Sequence, residues 1–452
     1  MKLRSSDRLK WTDPAEHTPY FSYRTIKRNG SQLREVQCDS VSLERIADTV
    51  GTPAYVYSRS SIENAFGRLN HAFGSLPHRL CYALKANSNL SVLRILAKLE
   101  SSFDIVSGGE LERLRHIGVP GERIVFSGVG KTSDEIRSAI AYRAGRTAKR
   151  EGILMFNVES EPELDLLIEE AARQVKNGRP RVSASLRVNP DILAGGHPHI
   201  STGYHQHKFG MAWSDALRLY KLHRDSPWIA WKGISAHIGS QILDVAPFRR
   251  AAERLASYVK ELFCVGIRLD CVDMGGGLGI RYTNEMPADV GDYARALTAI
   301  MRALGCTLLI EPGRAIVGAA GVLLTRVLYV KRNGGKRFVI VDAAMNDLIR
   351  PSLYGATHPI TPAVVARQGI ANAAPADVVG PVCESGDFLA RDWRLPDVKA
   401  GDLLVVWAAG AYGFVQSSNY NARLRPPEVL VERGRFRVIR RRQTFDETIR
   451  GE

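Results

Sequence analysis

From Arg79 to Ile310, short apolar runs rich in β-formers alternate with stretches of helical period. The apolar runs cover residues 80–84, 103–106, 123–127, 155–158, 182–188, 232–238, 269–274 and 307–310. Between them lie amphipathic segments such as VLRILAKL (92–99), SEPELDLLIEEAARQV (160–175) and PFRRAAERLASYVKELF (247–263), whose apolar residues recur on one helical face. Two segments open with a capping-box pattern, Thr132 with Glu135 and Ser160 with Glu163, in which hydroxyl and carboxylate satisfy orphan amide groups of the first turn. Eight strand-then-helix units in a row predict an α/β fold with a parallel sheet, most simply a closed (β/α)8 barrel. An open doubly wound sheet is the alternative.

After Gly313 the rhythm changes. GVLLTRVLYVK, KRFVIVDAA, DVVGPVCES, DLLVVWAAGAY and EVLVERGRFRVIRRR read as strands without long helices between them, which predicts an all-β domain. Residues 35–57 read as strand, short helix, strand and are expected to join it. The division is therefore a barrel over residues 58–312 and a β-rich domain built from residues 1–57 and 313–452.

The 452 residues suffice for two such domains. The longest apolar run, Leu403 to Val415, is shorter than the ~20 residues a membrane helix needs, so no membrane partner is expected. No apolar stretch follows the basic start MKLRSSDRLK, so no signal peptide is expected either. Six scattered cysteines form no CxxC pair, which fits a cytoplasmic protein with neither a zinc site nor a disulfide framework. The formal charge of +15 is spread along the chain, with one dense cluster at Arg433–Arg442. Gly434 splits that cluster into a hairpin whose arginines form a solvated strand face, so no nucleic-acid partner is expected.

The unusual residues fall at the C-terminal ends of the barrel strands, the face on which barrel active sites are built. Lys85, Ser107, Ser127, Glu159, Asn189, His237, Gly275–Gly277 and Glu311 all stand there. A lysine confined at a strand end is placed to serve as an amine nucleophile. MGGGLGI (274–280) and EPGR (311–314) follow the seventh and eighth strands, where loop amides commonly converge on a phosphate. Position 280 is Ile, so the dinucleotide fingerprint GxGxxG is not met. Glu311 could keep a pyridine nitrogen protonated.

YALKANSN, SGGEL, HIGSQI, MGGGLGI, EPGRAIVG, VDAAMNDLIRPSLYG, GPVCESGD and AGAYGFVQSSNYN together resemble the diaminopimelate decarboxylases, pyridoxal-phosphate enzymes with an alanine-racemase-like barrel. The resemblance runs from about Tyr20 to RRRQTFDE near the C-terminus. It implies that Lys85 carries the pyridoxal 5'-phosphate and that His237 stacks on its ring. Gly239, Ser240, Gly275, Gly276, Gly277 and the backbone of Glu311, Pro312, Gly313 and Arg314 would hold the phosphate, with Tyr412 beside it. Glu311 would meet the pyridine nitrogen. Arg314, Arg350 and Tyr354 would bind substrate carboxylate, and Glu384 the distal amine. Cys383 would donate the proton, reaching the site from the partner subunit of a head-to-tail homodimer.

The implied reaction is decarboxylation of meso-2,6-diaminopimelate to L-lysine. A decarboxylase of ornithine, arginine or a carboxylated polyamine is the nearest alternative; a racemase or a non-catalytic relative fits less well, because CESGD, Lys85 and Cys383 are all present. The chain departs from the family's NPDVDA with NPDILA (189–194). The paired histidines His197, His199, His205 and His207 of the same loop lack a completing cysteine or carboxylate, so no metal is expected.

Overall fold

The computed structural model describes residues 13–28, 30–144, 151–175, 180–192, 208–366 and 373–452. The chain divides into two compact units. One comprises residues 63–279 and 287–315, the other residues 1–62, 280–286 and 316–452.

The first unit is a closed barrel of eight parallel strands in sequence order. The strands are β1 (His78–Ala83), β2 (Ser102–Ile105), β3 (Ile124–Phe126), β4 (Met155–Val158), β5 (Val182–Arg187), β6 (Ile229–Ser235), β7 (Cys271–Asp273) and β8 (Thr307–Ile310). β8 pairs with β1 and closes the ring, which removes the open-sheet alternative. A helix follows every strand, from Leu90–Lys98 after β1 to the short Arg314–Val317 after β8. Short strands with both faces covered read as continuous apolar runs, and that is why the alternation was legible.

Of the two expected capping boxes, that of Thr132 and Glu135 forms completely. That of Ser160 forms by half. Ser160 Oγ accepts the Glu163 amide at 3.4 Å, but the Glu163 carboxylate takes the Glu159 amide and buried Lys131 instead. A buried ammonium needs an anion more than an exposed helix end needs a second cap.

The second unit holds a nine-stranded sheet and a four-stranded one. Ala54–Ser58 runs between Gly321–Asn333 and Glu428–Glu432, so the N-terminal segment is built into the C-terminal sheet as the pattern implied. The hairpin of Glu428–Glu432 with Arg435–Arg440 turns at Arg433 and Gly434, both with positive φ. Arg437 and Arg440 pair with Glu432 and Glu428 on that face. The strands Phe21–Arg28, Ile360–Pro362, Val364–Ala366 and the charged Phe388–Leu395 were not anticipated. The first forms a hairpin with Ser31–Cys38, and the sequence signal for it was Asn29–Gly30, a dipeptide suited to a tight primed turn. The loop histidines His197, His199, His205 and His207 lie outside the described residues.

Candidate active site

At the barrel mouth, Lys85 sits in a single 3-10 turn, Leu84–Ala86, directly after β1. Its Nζ donates to Asp104 Oδ2 at 2.6 Å. The lysine side chain is 35% exposed and the aspartate 0%, so the ammonium looks out of the mouth while its counter-charge lies beneath it. Asp104 was missed at the sequence level. Its signal was a charged residue inside the apolar run FDIV, where only an inward-facing, partnered carboxylate is tolerated.

A chain of polar side chains crosses the barrel below the mouth. Asn157 Nδ2 donates to Asp273 Oδ2 at 3.0 Å and to Ser127 Oγ at 3.1 Å, and Ser127 Oγ donates to Glu311 Oε1 at 3.3 Å. Burial, with repulsion from Asp104 and Asp273, holds the Glu311 carboxyl well above the usual carboxylate range. Asp273 is likewise raised, chiefly by burial. Arg187 Nη1 donates to Glu159 Oε1 at 2.8 Å, and the Glu159 carboxylate also takes the amides of Gly128 and Gly210.

His237 follows β6. The Gly276 amide donates to its Nδ1 at 3.0 Å, which places the ring proton on Nε2. Burial, with Arg187 and Lys85 nearby, keeps this imidazole neutral by pulling its pKa well below the ordinary histidine value.

The glycine loop passes between these groups. A Cβ on Gly276 would stand 2.2 Å from the Glu311 carbonyl oxygen, and one on Gly277, at φ 114°, would meet the Gly239 carbonyl at 2.5 Å. Only glycine lets the loop approach its neighbours so closely. Gly239 has φ 146°, and a Cβ on Gly275 would strike His237. Ser240 Oγ accepts from buried Arg314 Nη2 at 3.1 Å. Pro312 accepts the Ala83 amide at 3.2 Å, and a Cβ on Gly313 would stand 2.9 Å from Ala86 Cβ. The structure thus gathers Lys85, His237, Gly239, Ser240, Gly275–Gly277 and Glu311–Arg314 on one barrel end. They form an amine beside a cradle of amides, hydroxyl and guanidinium suited to an anion.

The remaining candidates belong to the β-rich unit. Arg350 opens the short helix Arg350–Tyr354 and is buried. Its Nε donates to His358 Nε2 at 3.3 Å and its Nη2 to Tyr282 Oη at 3.5 Å. The guanidinium carbon lies 5.8 Å from the ring centres of Tyr282 and Tyr354 and 6.0 Å from that of Tyr412. Tyr412 itself adopts a positive φ of 55°. Tyr282 and His358 carried no sequence signal beyond their residue type.

Cys383 and Glu384 are exposed on the loop 380–387. Asp387 ties that loop down, accepting the amides of Val382 and Met345, each at 2.7 Å. The Cys383 amide donates to Asn421 Oδ1 at 2.9 Å, and Ser352 Oγ donates to the Gly386 carbonyl at 2.6 Å. The loop is thereby fixed to the helix that carries Arg350 and Tyr354. Among the described residues, no helix is long and apolar enough to cross a membrane.

Residues 59–318 match the pyridoxal binding domain of the pyridoxal-dependent decarboxylases. The chain is 46% identical to the diaminopimelate decarboxylase of Neisseria meningitidis over 92% of its own length and 98% of the relative's. It is 47% identical to that of Pseudomonas aeruginosa, covering 96% and 98%. Among solved structures, the diaminopimelate decarboxylase of Helicobacter pylori complexed with L-lysine superposes with a TM-score of 0.83 at 41% identity, over 90% of this chain and 98% of that one.

Proposed function

This chain belongs to the diaminopimelate decarboxylases of the pyridoxal-dependent decarboxylase family, and from that membership we propose that it converts meso-2,6-diaminopimelate to L-lysine and carbon dioxide. The observation that carries the reading is the barrel mouth, where Lys85, the buried Glu311 and a glycine-lined anion cradle stand on strand ends of one ring.

The residues there fit pyridoxal 5'-phosphate. Asp104, Asp273 and Glu311 crowd three carboxyl groups into a buried space, and among the described residues Asp104 Oδ1 has no hydrogen-bond partner. Such a site is completed by added positive charge and added donors, which a protonated pyridine ring brings. Ser240 and Arg314, bonded to each other beside the glycine loop, offer hydroxyl and guanidinium donors to a phosphate.

When bound, the cofactor supplies a sink for the electron pair released as the carbon–carboxylate bond breaks. Lys85 Nζ would hold the cofactor's aldehyde carbon. His237, fixed by its Nδ1 bond to Gly276, presents a neutral ring face for stacking. Glu311 would share a proton with the ring nitrogen. Arg314, Arg350 and Tyr354 would bind the substrate's distal carboxylate, Tyr412 would stand beside the phosphate, and Glu384 would take the distal ammonium. Cys383 Sγ–H delivers a proton to the carbon that the carboxylate leaves, so that carbon dioxide departs and one proton enters. We assign Cys383 and Glu384 to the barrel of a second subunit in a head-to-tail homodimer; the exposure of both side chains in the single chain supports this.

The test is stoichiometric. Purified protein supplied with pyridoxal 5'-phosphate should yield one L-lysine and one carbon dioxide per meso-diaminopimelate consumed. Loss of substrate without lysine would refute the assignment.

A further inference from the structure

We propose that His358 is a positioning residue that orients Arg350 toward the distal carboxylate of the substrate, an inference that rests on the role given to Arg350 above. His358 is fully buried, and its Nδ1 lies 2.9 Å from the Trp407 carbonyl oxygen. A carbonyl only accepts, so Nδ1 carries the proton and Nε2 keeps its lone pair. That lone pair faces Arg350 Nε, which always donates, at 3.3 Å. Trp407 is itself anchored, through its amide to the Pro359 carbonyl and through Nε1 to Thr361 Oγ1, both at 2.9 Å.

The purpose lies in which edge of the guanidinium is held. An arginine side chain is long and loses much rotamer freedom when it binds an anion. Fixing Nε fixes the plane of the whole fork, so that its Nη groups are aimed before the anion arrives. Tyr282 adds a second support at 3.5 Å from Nη2, and its ring stands at 81° to the His358 ring with centres 5.2 Å apart. Both supports are neutral. Neither brings an anion, so these two bonds orient the guanidinium without cancelling its charge.

The distal carboxylate survives the reaction, so L-lysine carries it and cadaverine, the same diamine without it, does not. Two variants separate positioning from mere structure. His358→Asn places an amide where Nδ1 stands, keeping the bond to Trp407 and falling short of Arg350. His358→Gln reaches the Nε2 position and restores an acceptor for Arg350.

Inhibition constants for L-lysine and cadaverine, with kcat and KM for meso-diaminopimelate, would be measured on the holoenzyme of each variant. His358→Asn should weaken L-lysine binding and raise KM about tenfold or more, with kcat changed by less than about threefold and cadaverine unaffected. His358→Gln should stay within about threefold of wild type in every respect. Equal weakening of L-lysine and cadaverine in the Asn variant, or unchanged L-lysine binding, would overturn the proposal. Failure of both variants to fold would give His358 a structural role alone, with the same consequence. Arg350→Ala, measured in parallel, separates the two claims. If it leaves L-lysine binding intact, the reading of Arg350 itself fails; if it weakens L-lysine where His358→Asn does not, only the His358 assignment falls.

Discussion

Lys85 Nζ and Asp104 Oδ2 stand 2.6 Å apart because β1 and β2 are paired in a register that sets Ala83 opposite Asp104. The carboxylate is wholly buried and the lysine half-exposed, so the aspartate holds the amine at the mouth without following it into solvent.

That tether leads to a covalent prediction. The holoenzyme should show a visible absorption band that borohydride bleaches, and peptide mapping of the reduced protein should find the pyridoxyl group on Lys85. A label on any other lysine would contradict the site.

The cradle can be tested by a single methyl group. Gly276→Ala must relieve a contact of 2.2 Å with the backbone of Glu311, which displaces either the loop or β8 from its place. Cofactor affinity should fall at least about tenfold, corresponding to about 1.4 kcal/mol, while the protein still folds. Titration of the apoprotein with pyridoxal 5'-phosphate measures it, and unaltered affinity would show that the loop does not touch the phosphate.

Asp347 offers a pH test in the β-rich unit. Burial raises its carboxyl from 3.8 to about 7. The folded chain therefore holds a proton there that the unfolded chain has released, and stability is lost as pH rises through this window and stays lost above it. Asp347→Asn has no charge to bury. The stability of the variant relative to wild type should grow by about 2–3 kcal/mol between pH 5 and pH 8, following about 1.4 kcal/mol per pH unit up to the folded value. Denaturant unfolding at both pH values checks this, and a constant difference would mean that the group titrates normally.

The barrel was legible because each of its strands is a short apolar run followed by a helical period, and β1–β8 each overlap one of those runs, the sixth displaced by three residues. The strand Phe388–Leu395 was not, since FLARDWRL carries three charges and half its face is exposed. The same split runs through the site. Lys85, His237, Glu311 and the glycines announce themselves by falling at strand ends. Asp104, Asn157 and Asp273 do not, for a polar residue inside an apolar strand reveals its purpose only when its partners across the ring are known. His358 and Tyr282 converge on Arg350 from segments that the sequence keeps 76 positions apart (358 minus 282).

Cys383 and Lys85 should act across subunits. Lys85→Ala and Cys383→Ala proteins, each inactive, should recover roughly a quarter of wild-type activity once mixed and exchanged, because half the dimers are then mixed and each has one intact site. Cys383→Ala alone should lower kcat by about 10²–10⁴ with cofactor content and L-lysine binding unchanged. No recovery despite proven exchange would place both residues in a site built from one chain.

Substrate choice decides whether this chain acts on meso-diaminopimelate. kcat/KM for carbon dioxide release would be measured with meso-diaminopimelate, L-lysine, L-ornithine and L-arginine on the same holoenzyme. A pocket whose cations are built for a distal carboxylate leaves them unpaired with the other three, which lack that carboxylate, so meso-diaminopimelate should lead by roughly 10⁴-fold or more. Comparable turnover of ornithine would contradict the account and move the chain to another basic amino acid.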